Sequence, residues 1–409
     1  MEPLTRRRFL AWSGVGAAAA MAAGATQVDW STLLHAAQHD PLDPAAGVLV
    51  VITLYGGNDG LNTVVPAADP AYQSARPHLA YQPHEVLDLG EGLGLNPGMR
   101  GLKDLWDNDS LAIVRGVGYP SPDHSHFRSM AIWQTASPWT SSPTGWLGRW
   151  LDASGADPLR AVSAEPVLPP MLAGERTSAA ALPPGGLKLP GGRIGEAFAA
   201  LGAAQPGEGR WQARAARSVT DLQAAAKVLG GGDRPAPAAD GKRKGGKGLA
   251  GQLDTVAGLI EAGVPTRVYS ASLGGFDTHA DERGTQQRLL TELDGAVSGF
   301  VRRLGGTARG RQAVVLVYSE FGRRVRANAS QGTDHGTAAP VFVIGPGVRP
   351  GFHGAQPSLT DLDNGDLKPS VDFRDVYARL LADVLGTDPQ RVLGEHPGKL
   401  DGLLSTRAA

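Results

Sequence analysis

One design, repeated along the chain, constrains the fold most. A run of apolar, mostly β-branched residues leads into a glycine-containing turn, and the turn carries an acid, a serine or a histidine. Its fullest form runs from Ala313 to Gly345. Val314, Val315, Leu316 and Val317 form an unbroken apolar run, as expected of a strand buried on both faces. The run stops at Ser319-Glu320-Phe321-Gly322-Arg323-Arg324. A polar loop is expected next, then Thr333-Asp334-His335-Gly336, then a second buried strand over Val341 to Ile344. In open α/β sheets, ligands bind beyond the carboxyl ends of strands. Glu320 stands at such an end, and Asp334 and His335 lie on the return path. Two carboxylates and an imidazole within sixteen positions can form much of a metal shell.

The same design recurs three times. Val48 to Leu54 reads as a strand and runs into Tyr55-Gly56-Gly57-Asn58-Asp59-Gly60-Leu61-Asn62. Glycines there allow a tight turn and a close backbone approach. Asp59 either faces a ligand or caps the next helix. Leu111 to Val117 reads as a strand leading to Pro120-Ser121-Pro122-Asp123-His124-Ser125-His126-Phe127, with a helix expected over Arg128 to Thr135. Ser125 falls at that helix's N-terminus, where the orphan amides and the dipole favour an anion. It is either an N-cap or, with a metal or base beside it, a nucleophile. His124 and His126 flank it as ligand, acid or plain loop residues. Val264 to Leu273 reads as a third such strand and ends in Gly274-Gly275-Phe276-Asp277-Thr278-His279. The two-residue spacing lets Asp277 and His279 reach the same side of an extended segment.

Helices are expected over Met99–Trp106, Leu249–Ala262, Gln286–Leu304 and from Val371 onward, the third with a continuous apolar stripe. Trp133, Trp139, Trp146 and Trp150 are expected to pack a core or line a cleft. Asp361 to Pro369 reads as a hairpin or loop, and the tail beyond Gly398 as frayed. Residues 152–248 show a weaker pattern. They read as an insertion or cap over the sheet end, with an Ala-rich helix near 209–228 and a disordered low-complexity loop at 230–248.

Thr5-Arg6-Arg7-Arg8-Phe9-Leu10 precedes a weakly apolar Ala/Gly stretch, the pattern of a twin-arginine signal peptide over residues 1–28. Residues 29–409 then make one domain, periplasmic or secreted, that meets the twin-arginine translocase during export. No later apolar stretch reaches the length of a membrane span. With 42% hydrophobic and 19% charged residues the chain is expected to be globular. Its net charge of −1 gives no electrostatic case for nucleic acid. There is no cysteine, so disulfides, thiolate metal sites and a cysteine nucleophile are excluded.

Five segments together resemble the exported family called domain of unknown function 1501 (DUF1501). They are Leu54-Tyr55-Gly56-Gly57-Asn58-Asp59-Gly60-Leu61-Asn62-Thr63-Val64-Val65-Pro66, Ser125-His126-Phe127, Gly275-Phe276-Asp277-Thr278-His279, Ser319-Glu320-Phe321-Gly322-Arg323 and Thr333-Asp334-His335-Gly336. That family looks like a branch of the alkaline phosphatase and sulfatase superfamily. The resemblance implies a three-layer α/β/α sandwich with a mostly parallel central sheet. By position, Ser125 resembles the superfamily's nucleophile. Asp59, Asp277, His279, Glu320, Asp334 and His335 resemble metal-shell positions, and Asn58, His126 and Arg323 are expected to contact substrate. One or two divalent cations (Zn, Ca, Mg or Mn) and an anionic small-molecule or glycan ester substrate are implied. Phe321 departs from the superfamily, which commonly has histidine there, and the Asp277–His279 spacing is shorter than usual. Two functions follow as expectations: an exported metal-dependent phosphate- or sulfate-ester hydrolase, or a non-catalytic exported binding protein that keeps the fold.

Overall fold

A computed structural model describes residues 26–27, 30–182, 248–396 and 398–405, with a few isolated positions between 183 and 247. The signal segment, the Ala-rich helix near 209–228 and the loop at 230–248 lie outside the described residues or almost wholly so.

The apolar runs become the central sheet. Strand β1 is Val48–Tyr55, β2 Leu111–Gly118, β3 Ala161–Ser163, β4 Ala180–Ala181, β5 Val268–Gly274 and β6 Ala313–Ser319. A two-stranded ribbon follows, β7 (Arg323–Ala327) and β8 (Thr333–His335), then β9 (Ala339–Ile344), β10 (Gly351–His353) and β11 (Val371–Asp372). Across the sheet the order is Thr26–Gln27, β4, β3, β5, β1, β6, β9, β2, β10, with β11 also paired to β2. Every pairing is parallel except those of β9, which runs antiparallel between β6 and β2.

Alternation along each strand sends side chains into two cores. Val48, Val50, Ile52 and Leu54 of β1 join Val315 and Val317 of β6 on one face. They pack against helices α1 (Arg100–Asp107), α4 (Leu249–Ala262) and α5 (Glu282–Gly305). Leu49, Val51, Val314, Leu316 and Tyr318 point the other way. They meet α2 (His126–Thr135), α3 (Trp146–Ala153) and α6 (Phe373–Arg379). Helices on both faces of a mostly parallel sheet make the expected three-layer α/β/α sandwich. Trp133, Trp146 and Trp150 are core residues, whereas Trp139 is exposed. Among the described residues no helix is long and apolar enough to cross a membrane.

Three local expectations change. Residues 161–163 and 180–181 are not part of a cap. They add two parallel strands to the main sheet, where Ala161, Val162, Ala180 and Ala181 are buried and Ser163 accepts from the Ser270 hydroxyl. The segment after Glu320 is a ribbon, with Arg323 opposite His335, instead of a polar loop. The described part of the tail, up to Ser405, is not frayed: Leu403 and Leu404 are buried, and Val348 bridges Leu404. The hairpin expected near 361–369 forms through Leu362–Asp363 and Asp366–Leu367.

Candidate metal centre

All the parallel strands present their carboxyl ends at one edge, so the turns after β1, β2, β5 and β6 converge there. The turn after β5 brings Asp277 and His279. The ribbon brings His335 back beside them, and the first turn of α2 brings His126. His279 Nε2 and His335 Nε2 each approach Asp277 Oδ1, at 3.0 and 3.1 Å, and lie 3.0 Å from one another. His126 Nε2 is 3.4 Å from the same oxygen and has no hydrogen-bond partner although it is buried. His126, Asp277 and His335 place one ligand atom each within 4.8 Å of one another.

The outer nitrogens explain why the inner ones converge. His126 Nδ1 lies 2.8 Å from Glu320 Oε1, His335 Nδ1 lies 2.7 Å from the His124 carbonyl, and His279 Nδ1 lies 3.3 Å from Asp334 Oδ1. Each of those acceptors calls for a proton on Nδ1, which leaves the Nε2 lone pair bare and facing the cluster. Three bare lone pairs and a carboxylate oxygen aimed at one point repel one another unless a cation lies between them. The three distances that meet at Asp277 Oδ1, 3.0, 3.1 and 3.4 Å, match the ligand–ligand edges of octahedral and tetrahedral shells, about 3.0 and about 3.4 Å at metal bonds near 2.1 Å. The residues therefore fit a divalent cation on chemical and geometric grounds. Nitrogen-rich donors of this kind suit Zn²⁺ and other first-row ions better than Ca²⁺ or Mg²⁺.

Local electrostatics keep the donors in the forms that bind. Burial pushes the Asp277 carboxyl up, but the Arg323 guanidinium, through its hydrogen bond and its charge, and the neighbouring His335 and His126 rings hold it well below the usual carboxylate range. Burial lowers the His335 imidazole, against the pull of Asp277, and so favours its neutral form. The Asn328 hydrogen bond, aided by His279, keeps Asp334 below its ordinary value.

Several sequence-based assignments need correction. Asp59 is not brought to the cluster. It is buried, accepts from Arg76 at both oxygens, and also takes the Leu61 amide. Asn58 is buried in bonds to Thr63 and Gln286, so it offers nothing to a substrate. Arg323 cannot clamp an external anion. Its guanidinium is spent on the carbonyls of Gly56, Gly57, Phe276 and Thr333 and on Asp277. Glu320 and Asp334 stand behind His126 and His279 instead of inside the donor set. His126, expected to touch substrate, instead joins the candidate donor set. Ser125 caps α2, and its hydroxyl accepts at 3.5 Å from the Arg128 amide. Its neighbour Phe127 is 91% exposed. Phe321 is buried and packs its ring 5.0 Å from that of His126 and 4.9 Å from that of His335.

Two groups escaped the sequence reading. Arg76, seventeen positions from Asp59, carried no local signal. Glu165 lies just past β3, a short strand whose pattern is weak. Its carboxylate accepts from the Tyr55 hydroxyl at 3.4 Å, and its other oxygen has no partner.

A model of one protein family, described as a protein of unknown function, DUF1501, matches residues 199–408, just over half of the chain. No curated protein matches the sequence. Among solved structures, the chain is similar to a protein in the alkaline phosphatase superfamily from Vibrio parahaemolyticus. The two are 12% identical at a TM-score of 0.41, over 90% of this chain and 78% of that one. It is also similar to the lipoteichoic acid synthase LtaP from Listeria monocytogenes, 9% identical at a TM-score of 0.37, over 90% of this chain and 77% of the other. A phosphonate monoester hydrolase from Silicibacter pomeroyi is 11% identical at a TM-score of 0.35, over 87% and 78%.

Proposed function

The chain belongs to the DUF1501 family, and from that premise we propose that it is an exported metal-dependent hydrolase of phosphate or sulfate esters. One observation carries this reading: Asp277 Oδ1, His279 Nε2 and His335 Nε2 stand within 3.0–3.1 Å of one another at the carboxyl edge of the sheet, with His126 Nε2 beside them. A divalent cation held by these four residues supplies Lewis-acid polarisation of an ester oxygen. The protein's own part would be to hold the four donors aligned and to supply the Ser125 hydroxyl from the position before His126. Ser125 Oγ forms the bond to phosphorus or sulfur while the ester's alcohol leaves, taking up the proton that the serine loses. Water then hydrolyses the seryl ester, restores the hydroxyl and releases phosphate or sulfate. The first turn of α2, with its free amides, favours the anionic group during both steps.

A second reading has its own support. Four protein donors can fill a tetrahedral shell, and structural zinc sites are closed in this way whereas catalytic ones keep a position open. With Phe321 packed against two of the histidines, the chain then works as an exported metal-binding protein without turnover.

Metal analysis of protein purified without added metal, followed by aryl phosphate and aryl sulfate assays, decides between them. The hydrolase reading expects stoichiometric metal and turnover abolished both by chelator and by Ser125→Ala. Stoichiometric metal without turnover selects the second reading. Metal-free protein, or turnover indifferent to chelator and to Ser125→Ala, refutes the first.

A further inference from the structure

Glu320 reads, in the sequence, as a ligand at a strand end. Its surroundings give it another task. The side chain is 2% exposed. Oε1 accepts from the Gly56 amide at 2.9 Å and faces His126 Nδ1 at 2.8 Å. Oε2 accepts from the Ser319 hydroxyl at 2.9 Å. The main-chain oxygen of the same residue accepts from Ser129 Oγ at 2.6 Å. His126 and Ser129 are three positions apart and lie on one face of α2. A single residue therefore pins the first turn of α2 to the ends of β1 and β6.

The three histidines are backed unequally. His335 leans on a main-chain carbonyl, and His279 leans on Asp334, a carboxylate that is 59% exposed. Of these three, only His126 has a buried carboxylate behind it. A charge-assisted hydrogen bond is strongest where water is excluded. The His126 ring also comes from a separate helix, while Asp277, His279 and His335 arrive on the β5 turn and the ribbon. It is the donor whose place depends most on an anchor.

We propose that Glu320 is the positioning residue for His126: it holds the proton on Nδ1, turns the bare Nε2 toward Asp277, and so presents His126 as the donor that completes the metal shell. The inference rests on the metal reading of the cluster, but half of it concerns the metal-free protein. Glu320 thus works through His126 and not on the cation directly.

Two measurements test it. The first needs no metal. Nitrogen-detected NMR of the His126 ring in metal-free protein should show the Nδ1–H form in wild type and a mixture of tautomers in Glu320→Gln. The same mixture in both overturns the proposal. The second is Zn²⁺ or Co²⁺ affinity by competition titration for wild type, Glu320→Gln, His126→Ala and the double variant. Loss of an outer-shell partner of this kind costs about 10–100-fold in affinity. Glu320→Gln should fall in that range, and the double variant should bind no more weakly than His126→Ala alone, since the two residues act as one unit. An unchanged affinity in Glu320→Gln refutes the role. So does a Glu320→Gln loss that multiplies that of His126→Ala, which would make Glu320 an independent ligand. A wild type that takes up no metal, with the tautomer result as expected, fells the metal reading and leaves the positioning of His126 standing.

Discussion

Glu165 gives the sharpest quantitative test of how the sheet edge handles charge. It follows β3, is 4% exposed, and keeps one carboxylate oxygen without a partner. Burial pushes its pKa from 4.5 up to about 7, against the opposing pull of the nearby Ser270, Ser272 and Tyr55 hydroxyls. A raised carboxyl pKa means that the folded protein prefers the protonated form. Below pH 4.5 the unfolded chain is protonated too, and the group costs nothing. Between pH 4.5 and 7 the unfolded chain ionises while the folded one does not, so stability falls by about 1.4 kcal/mol for each pH unit. Above pH 7 both forms are ionised and the loss levels off at about 3 kcal/mol. Glu165→Gln has no proton to lose at nearly the same shape. Urea unfolding of both proteins at steps from pH 4 to pH 8, followed by tryptophan fluorescence, gives the difference in stability, and the other titrating groups cancel in it. The variant should gain about 3 kcal/mol relative to wild type across that window. A difference that stays flat from pH 4 to pH 8 would refute the reasoning, because it would mean that the carboxyl is hydrated or paired in the folded state.

Three further outcomes follow from the packing. Arg76→Met leaves the buried Asp59 carboxylate without its partner and should cost about 3–5 kcal/mol in chemical denaturation; a loss under about 1 kcal/mol would show that Asp59 is satisfied by other donors. Gly57 has φ +70°, and an added Cβ would sit 2.2 Å from the Phe321 ring. Gly57→Ala should therefore cost about 1–3 kcal/mol in denaturation and also weaken Zn²⁺ uptake, since Phe321 packs on His126 and His335; unaltered stability would show that the ring has room to move. Leu403 is fully buried in the core on the α2 face. Leu403→Ala should destabilise by about 2–5 kcal/mol, and a neutral result would return the tail to the frayed state its sequence suggests.

What the chain's pattern disclosed, and what it withheld, divides along a physical line. Strands β1 and β6 were legible because a strand covered on both faces reads as a near-continuous apolar run, and β2 and β5 because they keep most of that run around Arg115 and around Ser270 and Ser272. The turns after them were legible because parallel strands deliver their functional residues to one edge. That reasoning places Asp277, His279 and His335 together correctly. It says nothing of which way a side chain faces once it is there. Asp59 and Asp277 follow near-identical glycine turns, yet the first turns inward onto Arg76 and the second outward to three histidines. Each meets a guanidinium from another segment, Arg76 at Asp59 and Arg323 at Asp277, but the histidines gather only at the second, and no local pattern encodes such meetings. Glu320 repeats the lesson with greater consequence. A carboxylate at a strand end looks the same in sequence whether it binds a cation or orients the imidazole that does. Only the burial of Glu320, and the two bonds that tie it to Gly56 and Ser319, separate the two roles. A carboxylate already holding two protein donors and a histidine has little left for a metal. The histidine it holds has an unpartnered nitrogen, and the proposed metal shell would be completed through that nitrogen.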